Sequence, residues 1–350
     1  MSAGTNRPAF ITQSLAFQAP RSMAQFPDEE GQSGEFERQE DAFRQWVTLD
    51  GSSGFAPVAG RYHLYISLAC PWAHRTLIVR HLLGLEKAVG VTVADPVRDE
   101  RGWAFRDGPG HSVDTLNGFK FLAEAYRASD PSFSGRVTVP VLWDTETRRI
   151  VNNSEDDICR MFAHAFTALH RKQADLFPAA LAAQQNALSQ QIYNDVNNGV
   201  YKAGFASTQA AYNRAVNQLF ETLGQLENRL AGQRFVLGSS FVETDWRLFC
   251  TLIRFDPVYH GHFKCNVRQI RNYPHLSRYL RDLYQQPGIA DLVNFDHIKR
   301  HYYITHGEIN PTRIVPVGPD LAWLDEPVDS IWHGASGAFS ESVDTSASLP

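Results

Sequence analysis

One of the four cysteines in this 350-residue chain stands where a reactive thiol is expected. Cys70 precedes Pro71 and falls between a segment with a strand pattern and a segment with a helix pattern. The first turn of a helix presents unpaired N–H groups and the positive end of the helix dipole, and both favour a thiolate. We therefore predict that Cys70 is a nucleophile with a thiol pKa below the ordinary value of about 8.5. The alternative is a small, buried cysteine at the start of a helix.

The run Cys70-Pro-Trp-Ala73 has no resolving cysteine, because Ala73 occupies the position at which a dithiol motif has its second thiol. Disulfide chemistry at Cys70 would therefore take its second thiol from a small molecule. The remaining cysteines, Cys159, Cys250 and Cys265, have no paired spacing and are too sparse for a disulfide framework. They indicate free thiols in a reducing compartment.

The segments that position Cys70 are typical of a thioredoxin-like domain. Alternating apolar residues predict the first strand, and Pro71 followed by helically spaced apolar residues predicts a helix that ends at Gly84. The predicted order is β-α-β followed by β-β-α, with strands at 61–68 and 89–94, a helix at 72–83, a hairpin of 137–143 and 149–151, and a helix that starts at Ser154.

Pro140 lies inside a segment that otherwise has the composition of a strand. Taken alone, it indicates a trans proline at a sheet edge, because proline cannot donate to the ladder. In a thioredoxin-like domain we instead expect a cis proline, which turns the backbone of Val139 so that its N–H and C=O can pair with a bound thiol peptide.

After about residue 165 the strand signals stop, and apolar residues recur at helical intervals over 212–230 and 276–283. A helical second domain follows from that periodicity. The predicted division is an N-terminal arm at 1–50, an α/β thioredoxin-like domain at 51–165, an all-helical domain at 175–315 and a C-terminal tail at 316–350.

Composition argues against several kinds of partner. The formal net charge of −5 provides no global field that would attract nucleic acid or anionic lipid. No run approaches the ~18 apolar residues of a membrane span, and residues 1–20 lack the pattern of a secretory signal. We therefore expect a cytoplasmic protein whose partners include neither nucleic acid nor a membrane.

The stretch His260-Gly-His-Phe-Lys-Cys265 contains three side chains that could bind zinc. A fourth ligand at suitable spacing is missing, and structural zinc sites normally close with four ligands. We expect no metal here.

Several longer motifs resemble those of one family, the glutathionyl-hydroquinone reductases, also called xi-class glutathione transferases. The resemblance extends over roughly residues 35–320, and several of its motifs lie in the helical domain. The motifs are Cys70-Pro-Trp-Ala73, Gly102-Trp-Ala-Phe105, Arg136-Val-Thr-Val-Pro-Val141, Asn197-Asn-Gly-Val-Tyr-Lys-Ala-Gly-Phe205, His262-Phe-Lys-Cys-Asn266, His297-Ile-Lys-Arg-His-Tyr-Tyr303 and Ile309-Asn-Pro-Thr-Arg-Ile-Val-Pro-Val-Gly-Pro319.

The resemblance implies a glutathione transferase-like architecture in a homodimer. Glutathione would bind to the thioredoxin-like domain as a co-substrate, and the aromatic part of a glutathionyl-hydroquinone would lie between the two domains. By position, Cys70 matches the nucleophile, Trp103 the aromatic wall beside it, and Arg136 the cation that meets a glutathione carboxylate. Val139 matches the residue that pairs with glutathione through its backbone.

By the same resemblance, Tyr201 and Tyr302 match the tyrosines that hold the hydroquinone oxygens, and Tyr303 is an alternative for the second role. The implied reaction starts when the Cys70 thiolate attacks the glutathionyl sulfur and the hydroquinone leaves with a proton from Tyr201 or Tyr302. A second glutathione then resolves the mixed disulfide and releases glutathione disulfide.

The chain departs from the family pattern at the helix start, where the family has Glu then Ser to hold the γ-glutamyl end of glutathione. Here Ser154 precedes Glu155. A hydroxyl, an acid and a helix N-terminus can still hold a carboxylate and an ammonium group. The alternative is a plain capping box, since Asp157 stands three residues after Ser154.

Two other functions remain open from the residues. A general thioltransferase or dehydroascorbate reductase would use Cys70 in the same way on other acceptors. A non-catalytic, glutathione transferase-like interaction module is the third possibility, although such a module has no need of a thiol at a helix N-terminus.

Overall fold

The computed structural model describes residues 29–31 and 33–328, whose sheet is mixed and has four strands. The central strand pairs in parallel with one neighbour and antiparallel with the other, and the fourth strand closes a hairpin. The strands are β1 (Tyr62–Ile66), β2 (Val89–Val93), β3 (Val141–Asp144) and β4 (Arg149–Asn152), in the spatial order β2-β1-β3-β4.

Three helices accompany this sheet, namely α1 (Pro71–Leu82), α2 (Leu122–Ser129) and α3 (Glu155–His164). The helix α2 lies between β2 and β3 and completes the β-α-β-α-β-β-α order of a thioredoxin-like domain. The predicted fold class is confirmed. Tyr65, on the face of β1 opposite to Leu64, is fully buried under a loop, and its hydroxyl donates to Asp114 of that loop at 3.2 Å.

Helices dominate the described residues after 165, with only an isolated bridge between Phe235 and Gly238. The two predicted periodic segments, 212–230 and 276–283, both lie within helices. The helices are α4 (Ala182–Ile192), α5 (Gly199–Gly204), α6 (Gln209–Ala231), α7 (Glu243–Arg254), α8 (Pro274–Tyr284) and α9 (Phe295–Thr305). π-helical turns at Tyr193–Asn197 and Phe255–Tyr259 extend α4 and α7.

Residues 33–50, which we call the edge segment, run along the open side of β4. The N–H of Gln45 donates to the carbonyl of Val151 at 3.0 Å, and the N–H of Asn153 donates to the carbonyl of Phe43 at 3.1 Å. The edge segment therefore belongs to the thioredoxin-like domain. The rest of the predicted arm, apart from residues 29–31, and the end of the predicted tail lie outside the described residues.

No helix in the described part of the chain is both long and apolar enough to cross a membrane.

A buried ion pair joins β1 to β3 where the two strands meet. Asp144 accepts from Arg61 Nε at 2.7 Å and from Arg61 Nη2 at 2.9 Å, and its carboxylate is fully buried. The hydroxyl of Thr147 donates to the same carboxylate at 2.6 Å. Removing the negative charge of Asp144 would leave the nearly buried guanidinium of Arg61 with only the exposed carboxylate of Glu146, 3.1 Å away, as a counter-ion.

We therefore expect Asp144→Asn to lower the free energy of unfolding by about 3–5 kcal/mol, as is typical when one partner of a buried pair is lost. Urea unfolding measures this loss. Asp296→Asn is the control, because Asp296 lies 3.3 Å from Arg300 in an exposed pair, and its loss should cost less than about 1 kcal/mol. Equal costs for the two variants would contradict the structural role of the buried pair.

Candidate active site

A cavity of about 700 Å³ lies between the thioredoxin-like domain and the helices, and it collects most of the predicted site residues. Pro140 follows Val139 through a cis peptide bond, as predicted, and does not line the cavity. Tyr303 lies outside the cavity as well, because its hydroxyl donates to the carbonyl of Pro257 at 3.3 Å. The predicted residues that line the cavity are Cys70, Trp103, Arg136, Val139, Ser154, Glu155, Tyr201 and Tyr302.

Cys70 is the N-cap residue of α1, and its Sγ lies 3.6 Å from the carbonyl oxygen of Val139. Burial raises the pKa of the Cys70 thiol, although the nearby N–H of Ala73 and the guanidinium groups of Arg254 and Arg38 act in the opposite direction. The expectation of a lowered pKa is therefore not supported. The helix N-terminus favours the thiolate, but the loss of water around the sulfur outweighs it.

Arg254, the last residue of α7, holds the turn that leads to Cys70. Its Nε donates to the carbonyl of Ala69 at 2.9 Å and its Nη2 to the carbonyl of Leu68 at 3.0 Å. The side chain is fully buried, and its Nη1 lies 3.1 Å from Nδ1 of His74 on α1. A single arginine thus joins the helical domain to the backbone just before Cys70 and to a side chain of the helix that follows it.

Three tyrosine hydroxyls meet on the helical side of the cavity. The oxygens of Tyr201 and Tyr302 are 2.6 Å apart, and those of Tyr259 and Tyr302 are 2.9 Å apart. Burial raises the pKa of all three phenols, so they keep their protons at neutral pH. The cluster can donate a proton or a hydrogen bond to an oxygen or carbon of a bound ring.

Arg38 of the edge segment contributes a cation to the same region. Its guanidinium carbon lies 4.7 Å from the ring centre of Trp72 and 5.0 Å from that of Tyr201. Its Nε donates to the side-chain oxygen of Asn198 at 2.7 Å. The edge segment therefore supplies part of the cavity wall beside Cys70.

Arg136, the predicted carboxylate ligand, forms an ion pair with Glu29 and donates to the carbonyl of Gln39 at 3.3 Å. Arg98 is a second cation on this side of the cavity, with its guanidinium 5.8 Å from the ring centre of Trp103. Burial lowers the pKa of Arg98 to about 10, which leaves it charged at neutral pH.

Ser154 is the N-cap residue of α3, but its side chain makes no hydrogen bond to the helix. Asp157, the partner expected for a capping box, instead accepts from Arg44 Nη2 at 2.8 Å and from the side-chain amide of Asn152 at 3.0 Å. The capping-box alternative is wrong, because Asp157 accepts hydrogen bonds from Arg44 and Asn152 and none from the N-cap residue. Glu155 lies 3.6 Å from Arg75 and lines the cavity together with Ser154.

In the stretch His260–Cys265, two of the three side chains that could bind zinc are engaged or enclosed within the protein. His262 Nε2 lies 3.2 Å from His306 Nδ1, and Cys265 is buried. Among the residues that the structure describes, no three potential ligands gather into a metal-binding group.

Arg38, Asp41 and Tyr259 are among the polar residues of the cavity region that sequence reasoning missed. Asp41 and Arg38 belong to the edge segment, which has no motif of its own in the prediction and was treated as an arm. Tyr259 lies in the π-helical turn after α7. A tyrosine at a helix end is indistinguishable in sequence from a core residue, so only its hydroxyl contacts reveal it.

The chain matches two family models, described as the N-terminal domain of glutathione S-transferase over residues 69–165 and the C-terminal domain of glutathione S-transferase over residues 209–282. It is 50% identical over 321 residues to glutathionyl-hydroquinone reductase YqjG of Escherichia coli K12, covering 89% of this chain and 95% of the relative. It is 44% identical to glutathionyl-hydroquinone reductase PcpF of Sphingobium chlorophenolicum, covering 83% of this chain and 92% of the relative.

Two solved structures of glutathione transferase homologues superpose closely on this chain. The glutathione-bound structure of YqjG from Escherichia coli K-12 superposes with a TM-score of 0.81 at 51% identity, covering 82% of this chain and 95% of that one. The crystal structure of glutathione-S-transferase xi from Phanerochaete chrysosporium superposes with a TM-score of 0.79 at 49% identity, covering 81% of this chain and 97% of that one.

The cavity geometry makes a prediction about thiol reactivity. Iodoacetamide should modify Cys70 selectively, since the other three cysteines do not line the cavity. Because burial raises the pKa of this thiol, the alkylation rate should rise with pH through a midpoint above about 8.5. Arg38→Met removes a cation beside the thiol and should move the midpoint higher, whereas Arg214→Met, at an exposed site, should not. A wild-type midpoint below 8.5 would show that the helix N-terminus outweighs burial.

Proposed function

This chain belongs to the glutathionyl-hydroquinone reductases, the xi class of glutathione transferases, and we propose that Cys70 carries out its reaction through a mixed disulfide with glutathione. The chain is thus an enzyme of the glutathione transferase superfamily. One observation carries the assignment of the site. Cys70, at the N-terminus of α1, lines the same interdomain cavity as Tyr201 and Tyr302.

The first step is attack of the Cys70 thiolate on the sulfur that joins glutathione to the hydroquinone ring. A sulfur–sulfur bond forms while the bond from sulfur to the aryl carbon breaks. The electron pair of the broken bond passes to the aryl carbon, which takes up a proton and leaves as hydroquinone. Cys70 remains as a mixed disulfide with glutathione.

The second step regenerates the enzyme. The thiolate of a second glutathione attacks the mixed disulfide, so that glutathione disulfide leaves and the Cys70 thiolate is restored. The overall reaction consumes one glutathionyl-hydroquinone and one glutathione, and it produces one hydroquinone and one glutathione disulfide. The alanine at position 73 is compatible with this scheme, because the resolving thiol comes from glutathione.

Residues on the thioredoxin-like side of the cavity suit a tripeptide with two carboxylates and one ammonium group. Val139 offers backbone groups beside Cys70, and Arg136 offers a guanidinium for a carboxylate. Trp103 provides an aromatic wall, which stacks on His301 with ring centres 5.0 Å apart. We assign these three residues to glutathione binding, in addition to Ser154 and Glu155.

The helical side of the cavity suits an aromatic ring with hydroxyl groups. Tyr201 and Tyr302 are assigned to hold the hydroquinone oxygens and to supply the proton that the aryl carbon needs. The hydroxyl of Tyr259 forms a hydrogen bond with that of Tyr302, and we assign Tyr259 to position the Tyr302 hydroxyl. This aromatic, proton-donating wall favours a hydroquinone substrate over the small acceptors of a general thioltransferase, and a non-catalytic module would not need it.

A homodimer in the cytoplasm completes the proposal. Support for the dimer comes from the family resemblance, and size-exclusion chromatography with light scattering tests it. All four cysteines are free thiols, which suits a reducing compartment.

Replacing the nucleophile tests the mechanism directly. Cys70→Ala and Cys70→Ser should fold normally and retain less than about a hundredth of wild-type turnover of glutathionyl-hydroquinone, because a serine hydroxyl stays protonated near neutral pH. Intact mass after exposure to glutathione disulfide should show an adduct in the wild type and none in either variant. Cys265→Ala, the same substitution outside the cavity, should keep both the adduct and the activity. A tenth of wild-type turnover in Cys70→Ala would contradict the assignment.

A pair of neighbouring variants tests the tyrosine assignment. Tyr302→Phe removes a hydroxyl from the cluster and should lower kcat at least about tenfold, which is less than the ~10²–10⁴-fold typical of a general acid because Tyr201 can partly substitute. Tyr303→Phe removes a hydroxyl that donates to a backbone carbonyl outside the cavity, so kcat should change less than about twofold. Steady-state kinetics with a glutathionyl-hydroquinone gives both values. The opposite order would transfer the role to Tyr303.

A further inference from the structure

Asp41 of the edge segment is a carboxylate on the cavity wall. It lines the cavity and is half-buried, yet it forms neither a hydrogen bond nor an ion pair with any residue that the structure describes. The nearby acids of α3 differ in this respect. Asp156 pairs with Arg75, Arg160 and Arg247, and Asp157 pairs with Arg44.

Glu155 lines the same cavity as Asp41 and acts on it electrostatically. Burial, and after it the negative charge of Glu155, raise the pKa of Asp41 to about 7, although the guanidinium groups of Arg136, Arg44 and Arg38 oppose the shift. Two carboxylates close together in a partly buried cavity destabilise each other unless a cation lies between them. Glu155 is itself held only loosely, 3.6 Å from Arg75.

Ser154 provides an independent indication of what the cavity binds at this point. The residue is only 5% exposed, lines the cavity, and its side chain makes no hydrogen bond within residues 29–31 and 33–328. The adjacent N–H groups of Glu155 and Asp156, in the first turn of α3, have no partner in the described chain either. A buried hydroxyl and free N–H groups at the N-terminus of a ten-residue helix suit a carboxylate.

A carboxylate site and an ammonium site therefore lie side by side. An α-amino acid carries both charges on one carbon, and the γ-glutamyl end of glutathione is such a group. We propose that Asp41 and Glu155 hold the α-ammonium of the γ-glutamyl group between them, which makes the edge segment part of the glutathione site. This inference rests on the proposed function, because it takes glutathione to be the thiol that reaches Cys70.

Asp41 thereby acquires a role that depends on one group of the substrate. It is a binding residue for the co-substrate and takes no part in breaking the carbon–sulfur bond. Loss of its charge should weaken glutathione binding and leave turnover at saturating glutathione almost unchanged. It should also remove the preference of the enzyme for a γ-glutamyl group that carries its ammonium.

The experiment compares glutathione with its desamino analogue, glutaryl-cysteinyl-glycine, as the reducing thiol. The wild type should show a KM about ten- to a hundredfold lower for glutathione than for the analogue, as expected for a charge-assisted contact. In Asp41→Asn, KM for glutathione should rise about tenfold and KM for the analogue should stay within twofold, so the preference shrinks. Glu155→Gln should act in the same direction. Glu40→Gln, which neutralises the exposed neighbour of Asp41, should leave the preference intact.

Three results would overturn the inference. They are a wild type that does not distinguish the two thiols, an Asp41→Asn variant in which both KM values rise equally, and a Glu40→Gln variant that loses the preference to the same extent. Intact mass of each variant after treatment with glutathione disulfide separates this failure from failure of the proposed function. A Cys70 adduct with an unchanged thiol preference overturns the role of Asp41 alone, whereas absence of the adduct in the wild type overturns the mechanism itself.

Discussion

The arrangement of the site depends on the hydrogen bonds that the guanidinium of Arg254 donates to the turn before Cys70. This guanidinium is fully buried and donates to the carbonyls of Leu68 and Ala69, which the turn between β1 and α1 leaves without partners in the sheet. An unpaired carbonyl or an unpaired buried cation would each be costly, so the two halves of the molecule stabilise each other there. Because Arg254 ends α7, the same contact sets the position of Tyr259 in the turn that follows.

The two walls of the cavity differ in the chemical type of their side chains. The thioredoxin-like side and the edge segment present arginines, carboxylates and free backbone groups, whereas the helical side presents phenols and other aromatic rings. A tripeptide with formal charges and a hydroquinone ring differ in the same way. Cys70 lies at the boundary between the two walls, and the proposed mechanism places the sulfur that joins peptide to ring beside it.

Burial of Cys70 has two opposite effects. It raises the pKa of the thiol, which lowers the fraction of thiolate at neutral pH, while nearby N–H groups and arginines lower that pKa in part. The same burial places the sulfur beside the backbone of Val139 and within a cavity bounded by protonated phenols. Water around a thiolate would compete with both contacts. Burial thus positions the Cys70 sulfur but lowers the fraction of this thiol that is ionised at neutral pH.

Local patterns were sufficient for many elements of the fold. Alternation and helical spacing predicted the four strands and the helices α1, α3, α6 and α8, because these depend on short-range preferences of the chain. They did not predict α2, which lies between β2 and β3. Family resemblance placed Tyr201 and Tyr302 in one site, and the structure brings their hydroxyls to 2.6 Å. Tertiary structure alone decided the thiol pKa, the partners of Asp157 and the part played by the edge segment. Each of these depends on burial or on residues more than a hundred positions away, such as Arg44 for Asp157, and no local pattern encodes such contacts.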